Sequence, residues 1–442
     1  MPGRFGTDGI RGPVGSAIDA DLALGLGRGV GHRLGGPGRS VVLGRDTRRS
    51  GEMLSAALAA GLTSTGTDVV DLGVVTTPCL VHASADDRHA AGIMVSASHN
   101  PAPDNGLKVV VAGRKADDAT ELELDRLIDD ASAIATLPNH ELGRVRTDGE
   151  PVETYRRQLS DVAGDAFEGL RIGIDCANGS ASLIAPQLFR SLGAEVTVLF
   201  DAPNGTNIND GCGSTHPERL AETVAAAGLD LGLAFDGDAD RLIAVDELGA
   251  LVDGDAVMGI CALERLAAGT LRNNVLVATV MSNGGLERAV RAAGGRMVRT
   301  PVGDRHVFEA MEREDAVIGG EQSGHIIFRD RSTTGDGLLT AIELVRAMRR
   351  SDGPLSELAG RIPRLPQVVI NSAVLRRDVW RQDTEFVAAV ERATEQLGER
   401  GRVLVRPSGT EPKIRIMVEG DDAGEIDRIA RELAVLAEAR LS

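Results

Sequence analysis

Two rhythms of apolar and polar positions alternate along most of the chain. Short β-type runs at Val41–Gly44, Arg171–Asp175 and Val275–Val280 each lead into a small polar loop and then an Ala/Leu-rich stretch. The loops are Arg45–Gly51, Cys176–Ser180 and Met281–Gly285, and the helical stretches reach about Ala60, Leu192 and Ala293. Each is a strand–loop–helix unit punctuated by glycine. Further along each unit, a second apolar strand ends in a polar tip. Ala91–Val95 runs into Ser96–Asn100, Leu231–Phe235 into Asp236–Arg241, and Ala316–Ile318 into Gly319–His325. Continuous apolar strands alternating with helices predict α/β sheets with buried central strands. Three similar arrangements predict three related α/β domains, and such sheets place ligands at strand ends.

The last part of the chain has a different pattern. Gln367–Leu375 reads as a strand, and Phe386, Val390, Ala393 and Leu397 form one helical face. Val403–Val405 and Lys413–Val418 read as strands around a Gly/Pro turn, and Ile426, Ile429, Leu433 and Leu436 line a closing helix. This predicts a smaller α+β domain after a linker at Gly360–Pro366. The division expected is 1–150, 151–255, 256–365 and 366–442, for a chain of 442 residues.

Composition narrows the function classes. Aromatic residues are 2% of the chain, too few for base-stacking platforms. A net charge of −17 disfavours a nucleic-acid or anionic-membrane surface. No apolar run approaches the ~18 residues of a spanning helix. Met1–Gly15 is polar and Gly-rich without a secretory apolar segment, so a cytoplasmic protein is expected. Cys79, Cys176, Cys212 and Cys261 lie far apart and read as reduced thiols. Of the 48 basic residues only Lys108, Lys115 and Lys413 are lysine, so a lysine that remains can mark a need for that side chain.

Four loops carry the candidate chemistry. Asp236, Asp238 and Asp240 alternate, a spacing that can gather three carboxylates on one side. Like charges so placed call for a cation, and hard oxygen ligands select Mg²⁺ or Ca²⁺; the alternative is a solvated acidic turn. A calcium EF-hand, suggested by Glu247 at the twelfth place, fails because Arg241 stands where glycine is needed and a strand flanks the loop. Ser96–Pro101 contains two serines beside His99, but no Gly-x-Ser-x-Gly elbow, and His99 is not expected to reach its neighbour's hydroxyl. A Ser/Asn/Pro turn is the plainer reading. Lys108 follows a glycine turn, as an acid or base or as a solvated charge. Arg406–Lys413 offers a guanidinium fork with Ser408 and Thr410 hydroxyls around Gly409, an anion nest or a plain hairpin. In Gly320–His325, paired glycines allow close approach of a ligand, and Glu321 and Ser323 point the same way. Gly25–Gly31 reads as helix packing, His216 and His306 as hydrogen-bonded surface histidines and not ligands, and Trp380 and Tyr155 carry no pattern.

In order, Phe5–Gly12, Ser96–Pro101, Asp236–Arg241, Gly320–His325 and Arg406–Lys413 resemble the α-D-phosphohexomutase family along essentially the whole chain. The resemblance implies three related α/β domains with mixed sheets and a smaller C-terminal domain around one cleft. It implies a phosphoserine at Ser98 and Mg²⁺ held by Asp236, Asp238, Asp240 and the Ser98 phosphate. Glu321 and Ser323 would grip sugar hydroxyls. Arg406, Ser408, Gly409 and Thr410 would clamp the non-reacting phosphate. Lys108, Arg11, Arg241 and His325 would supply charge and proton transfer around the reacting one. Gln322, Val302–Arg305 and the opening Phe5–Gly12 resemble the branch that interconverts glucosamine 6-phosphate and glucosamine 1-phosphate through glucosamine 1,6-bisphosphate. Action on glucose or mannose phosphates is the same-class rival; a Ser98-dependent phosphatase and a non-catalytic phosphosugar-binding protein are the others. The partner implied is a small phosphosugar, with a homodimer left open.

Overall fold

The first three units of the computed structural model, which describes residues 3–6, 8–130, 134–135, 137–407 and 412–441, share one topology. In each sheet a first strand lies between a parallel second strand and a parallel third, and the third turns back into an antiparallel fourth. In the first unit these are Ser40–Arg45, Asp68–Val74, His89–Val95 and Asp104–Val111. In the second they are Arg171–Asp175, Glu195–Leu199, Leu231–Phe235 and Leu242–Asp246. In the third they are Val275–Thr279, Arg296–Thr300, Ile318–Gly320 and Ile326–Phe328. The parallel core strands need helical crossovers, and the antiparallel return needs only a short loop. That short loop is the polar tip of each unit: Ser96–Pro103, Asp236–Arg241 and Glu321–His325 occupy equivalent places.

Burial explains the strand composition. His89–Val95, Leu231–Phe235 and Val275–Thr279 are buried along their whole length, as strands covered on both faces must be. Two helices of the first unit, Ala20–Arg33 and Ser50–Ser64, touch backbone to backbone. A Cβ at Gly27 would lie 2.4 Å from the Leu58 carbonyl oxygen, and one at Gly61 equally close to that of Leu24. The glycine run at 25–31 is therefore a packing surface.

Two local expectations are corrected. The helix after Arg171–Asp175 is broken into a 3₁₀ turn at Ser180–Leu183 and a short helix at Ala185–Ser191. Pro186 lacks an N–H and fits only a first turn, so the helix restarts there. The third strand of the third unit runs over Ile318–Gly320 instead of Ala316–Ile318. A Cβ at Gly320 would meet the His325 carbonyl oxygen at 2.5 Å, so that glycine admits the returning strand and not a ligand.

The C-terminal unit is an antiparallel sheet with Lys413–Gly420 between Gln367–Ala373 and Gly401–Pro407. Helices Thr384–Leu397 and Ala423–Leu441 pack on it around a core of its own that includes Phe386, Ile416 and Leu433. All four cysteines are buried and unpaired, and no helix among the described residues is long and apolar enough to cross a membrane.

Candidate active site

Equivalent placement lets the tips of the first two units meet. Ser98, at the end of the buried strand His89–Val95, is 1% exposed and has a left-handed backbone with φ +50°. Its hydroxyl donates to Asp236 Oδ2 at 2.6 Å across the domain boundary. Asp236, Asp238 and Asp240 are all buried, and one oxygen of each lies within 4.8 Å of the others. Ala239, at φ +56°, turns the backbone inside this loop. The acidic loop is thus a gathered cluster and not a solvated turn.

The cluster is electrostatically incomplete. Burial, then the carboxylates of Asp240 and Asp238, push Asp236 far above the usual carboxylate range. Burial and Asp238 also raise Asp240. Asp238 goes the other way: burial opposes its ionisation, but the Lys108 ammonium and the Thr77 hydroxyl hold it down to about 2. Asp238 Oδ1 and Asp240 Oδ1 are buried without a hydrogen-bond partner. Orphaned, clustered carboxylate oxygens fit a hard divalent cation.

Lys108 is the counterweight. Its Nζ lies 2.9 Å from Asp238 Oδ2, 3.1 Å from Asp8 Oδ2 and 3.8 Å from Asp240 Oδ2. Burial alone would lower its pKa, yet these three carboxylates outweigh burial and raise it. The side chain is therefore an ammonium, a source of charge before it is a proton acceptor. Asp8 also accepts from Arg11 and pairs with Lys115 at 3.4 Å. Burial opposes ionisation of Asp8, but Lys108, Lys115 and Arg11 together hold its carboxyl well below the ordinary range. Arg11 reaches Asn100 Oδ1 at 3.3 Å and Arg241 Nε lies 3.7 Å from Asp240 Oδ1, so both face the rim of the cluster. His325 Nε2 stands 3.9 Å from Asp240 Oδ2.

His99 overturns an expectation. Its Nδ1 lies 3.2 Å from Ser98 Oγ, because the left-handed turn at Ser98 brings the neighbouring side chains to one side. Burial, then Arg241 and Arg11, lower its pKa to about 4, so the imidazole is neutral near pH 7.

The third loop packs directly on the second. The Leu242 N–H donates to the Gly324 carbonyl, and a Cβ on Gly324 would sit 2.2 Å from the Leu242 carbonyl oxygen. Glu321 Oε1 accepts from the Gly303 N–H at 3.0 Å, and Ser323 Oγ stands 3.5 Å from Glu321 Oε2, so both hydroxyl-gripping candidates share one side. Gln322 instead donates to Asp253 Oδ2 at 3.3 Å. In the C-terminal unit Arg406 is paired in register with Arg415. Burial and the Arg415 guanidinium lower the Arg406 pKa. Two such cations side by side favour an anion between them. Ser408, Gly409 and Thr410 lie outside the described residues.

Several contributors escape a reading of single loops. Asp8 lies within the opening motif but had no assigned role. Thr77, which binds Asp238 Oδ2 at 2.6 Å, and Arg415 show no local signal beyond their residue type. Arg48 sits inside the connector Arg45–Gly51 and Asn209 in a loop of the second unit, yet both bind the Ser98 loop.

Comparison with known proteins follows this geometry. Models of the phosphoglucomutase/phosphomannomutase family match in order: alpha/beta/alpha domain I over residues 2–134, domain II over 153–249, domain III over 253–365 and the C-terminal domain over 369–436. The chain belongs to this family. It is 50% identical to the phosphoglucosamine mutase of Symbiobacterium thermophilum over 447 residues, covering 100% of both chains. To that of Moorella thermoacetica it is 49% identical, covering 98% of each. A phosphoglucomutase/phosphomannomutase family protein of Burkholderia thailandensis superposes with a TM-score of 0.82 at 28% identity, covering 100% of this chain and 98% of that one. As a phosphohexomutase, the chain is an isomerase.

Proposed function

We propose that this phosphohexomutase interconverts glucosamine 6-phosphate and glucosamine 1-phosphate through a phosphoserine at Ser98 and a glucosamine 1,6-bisphosphate intermediate. The observation that carries the reading is the Ser98 hydroxyl at 2.6 Å from Asp236 in a buried acidic cluster with Lys108 beside it. The glucosamine preference is supported by the identity to phosphoglucosamine mutases over the full chain. Our division of the chain remains 1–150, 151–255, 256–365 and 366–442. A phosphosugar substrate supports a cytoplasmic setting.

Phosphoryl transfer needs alignment and charge neutralisation more than covalent chemistry. Asp236, Asp238, Asp240 and the phosphate on Ser98 would hold one Mg²⁺, which when bound offsets negative charge on the transferring group. In the first half-reaction the phosphorus–Oγ bond at Ser98 breaks as a bond to O1 of the sugar forms, and the O1 hydroxyl proton leaves. In the second, the 6-phosphate returns to Ser98 Oγ and O6 regains a proton. Lys108, Arg11 and Arg241 place positive charge around the reacting group, and His325 stands beside them for proton transfer. Glu321, held by the Gly303 N–H, and Ser323 orient sugar hydroxyls. Arg406, joined by Ser408, Gly409 and Thr410, clamps the phosphate that is not reacting, with Arg415 adding a second guanidinium.

The test is turnover followed by phosphorus NMR with Mg²⁺ and a trace of bisphosphate primer, comparing glucosamine, glucose and mannose 6-phosphates. Preference for glucosamine is the expected result. Preference for another hexose would discard the sugar assignment and keep the mechanism. Full turnover by Ser98→Ala would discard the mechanism, and net phosphate release would place the chain among phosphatases.

A further inference from the structure

The Ser98 loop is held in an unfavourable shape by two residues that belong to neither the acidic cluster nor the sugar-binding loop. A left-handed conformation is sterically unfavourable for a non-glycine residue, so Ser98 at φ +50° needs outside support. Arg48 supplies part of it. Its side chain is fully buried, and its guanidinium uses every donor. Nε binds Asp46 Oδ2 at 2.9 Å. Nη1 binds the carbonyls of Pro101 and Asp104, and Nη2 those of Ser98, at 3.0 Å, and Asn100, at 2.7 Å. Three carbonyls of the loop and that of Asp104, where the returning strand begins, thus converge on one side chain.

Asn209, from the second domain, completes the hold. Its Nδ2 donates to the same two carbonyls, Ser98 at 2.8 Å and Asn100 at 3.0 Å. Each carbonyl therefore receives two donors, one from each domain. The loop that carries Asn209 is itself docked on the Arg48 connector, where the Arg49 N–H donates to the Gly205 carbonyl; beside it Thr47 Oγ1 donates to the carbonyl of Asn178 in the Cys176–Ser180 loop. No side chain fits between the loops, because a Cβ on Gly237 would lie 2.7 Å from the Ser98 carbonyl oxygen. From beneath, Ser96 Oγ accepts from the Ser98 N–H and donates to Asp46.

We propose that Arg48 and Asn209 are positioning residues: together they lock the left-handed Ser98 loop across the domain boundary, so that its Oγ meets the acidic cluster in one geometry. This rests on Ser98 as the phosphoryl carrier. The carrier gives and takes a phosphoryl group in every cycle, and a displacement of ~1 Å can cost on the order of 10²-fold in rate. Arg48 sets the shape of the loop; Asn209 sets its register on the second domain.

The test compares Asn209→Ala, Asn209→Asp and Arg48→Lys with the full-length parent, using glucosamine 6-phosphate, Mg²⁺ and primer. Lysine keeps the charge of Arg48 but cannot reach five acceptors. The expected result is a fall in kcat of roughly 10–10²-fold for Asn209→Ala, with KM within about twofold. Phosphoserine formed from the bisphosphate, read by intact mass, should accumulate more slowly. Asn209→Asp should fall further, since a carboxylate faces two carbonyl oxygens, and Arg48→Lys should not restore function. Parent-like kcat and phosphorylation rate in Asn209→Ala would overturn the proposal, as would a loss of kcat that only tracks loss of folded protein. If the parent neither turns over nor takes up phosphate on serine, it is the proposed function that fails.

Discussion

Replacing Lys108 by methionine keeps most of the side chain's volume and removes its charge. In the folded protein its Nζ is 2.9 Å from Asp238, 3.1 Å from Asp8 and 3.8 Å from Asp240, with the residue 5% exposed. At an effective dielectric of ~20 the shortest pair alone is worth about 6 kcal/mol, and desolvation takes back much of it. Removing one partner of a buried pair typically costs ~3–5 kcal/mol, because the other charges stay buried and uncompensated. In a unit of 150–250 residues that is roughly 6–20 °C of melting temperature. Mg²⁺ should change the outcome. With Lys108 absent, Asp238 keeps only the Thr77 hydroxyl on Oδ2 and loses the competing ammonium, so the variant should bind Mg²⁺ more tightly than the parent. A ligand at about 100 times its Kd contributes ~2.7 kcal/mol, and the tighter binder gains more at the same concentration. Melting curves with chelator and across a Mg²⁺ titration should therefore show a large deficit that narrows as Mg²⁺ rises. Turnover should fall on the order of 10²–10³-fold under all conditions. Equal Mg²⁺ responses in the two proteins, or a parent-like melt in chelator, would refute the reasoning.

Other consequences are accessible to the same assays. Burial raises the Asp255 pKa to about 7; one oxygen accepts from the Asn283 N–H and the other has no partner. Because the folded-state value is raised, the folded protein retains a proton that the unfolded chain has lost, and stability falls as pH rises from about 4 to about 7. Asp255→Asn should flatten that part of the denaturation profile and be the more stable protein above it, by up to about 4 kcal/mol. Gly324→Ala, at φ +91° and with the Leu242 carbonyl oxygen 2.2 Å from the new Cβ, should lower the melting temperature and raise the KM for the sugar phosphate by pushing Glu321 away from the acidic loop. Arg406→Ala should raise KM about 10–100-fold, the loss of a charged hydrogen bond of ~1.5–3 kcal/mol, while changing kcat less; an unchanged KM would remove Arg406 from the phosphate clamp.

The order of domains and the type of each loop were legible because they are written locally. An apolar run followed by Asp236, Asp238 and Asp240 declares both a buried strand and a cation-seeking tip within ten residues. Lys108 stood out because the chain otherwise prefers arginine. What was hidden depends on contacts between distant segments. Nothing near Arg48 or Asn209 says that their donors meet at Ser98, 50 and 111 residues away. Arg415 becomes a partner of Arg406 only through strand register. The reach of His99 follows from one backbone angle that composition does not encode. The glycines at 320 and 324 show the converse error: close approach is real, but what approaches is the protein's own backbone, the His325 carbonyl at Gly320 and the Leu242 carbonyl at Gly324.

A single site with two alternating tasks is the reason the proposed phosphate clamp would belong to a separate unit. In the proposed cycle the sugar reacts first at O1 and then at O6, so the distal phosphate changes identity while Ser98 and the acidic cluster stay fixed. The fixed part is built on three sheets whose tips interlock through short backbone contacts, such as Gly324 against Leu242 and Gly237 against Ser98. The C-terminal unit is joined differently. Its apolar core is a cluster of its own, and polar groups bridge it to the third domain. Glu419 accepts from the Gly284 N–H at 2.8 Å and from Arg402 at 2.9 Å, and Arg402 donates to the carbonyls of Val280 and Ser282. A joint of this kind can be remade with little apolar surface exposed, whereas parting the Ser98 loop from the acidic loop would strand buried carboxylates. The proposed cycle would thus have rigidity where the phosphoryl group is transferred and adjustability where the two ends of the substrate must both be accepted.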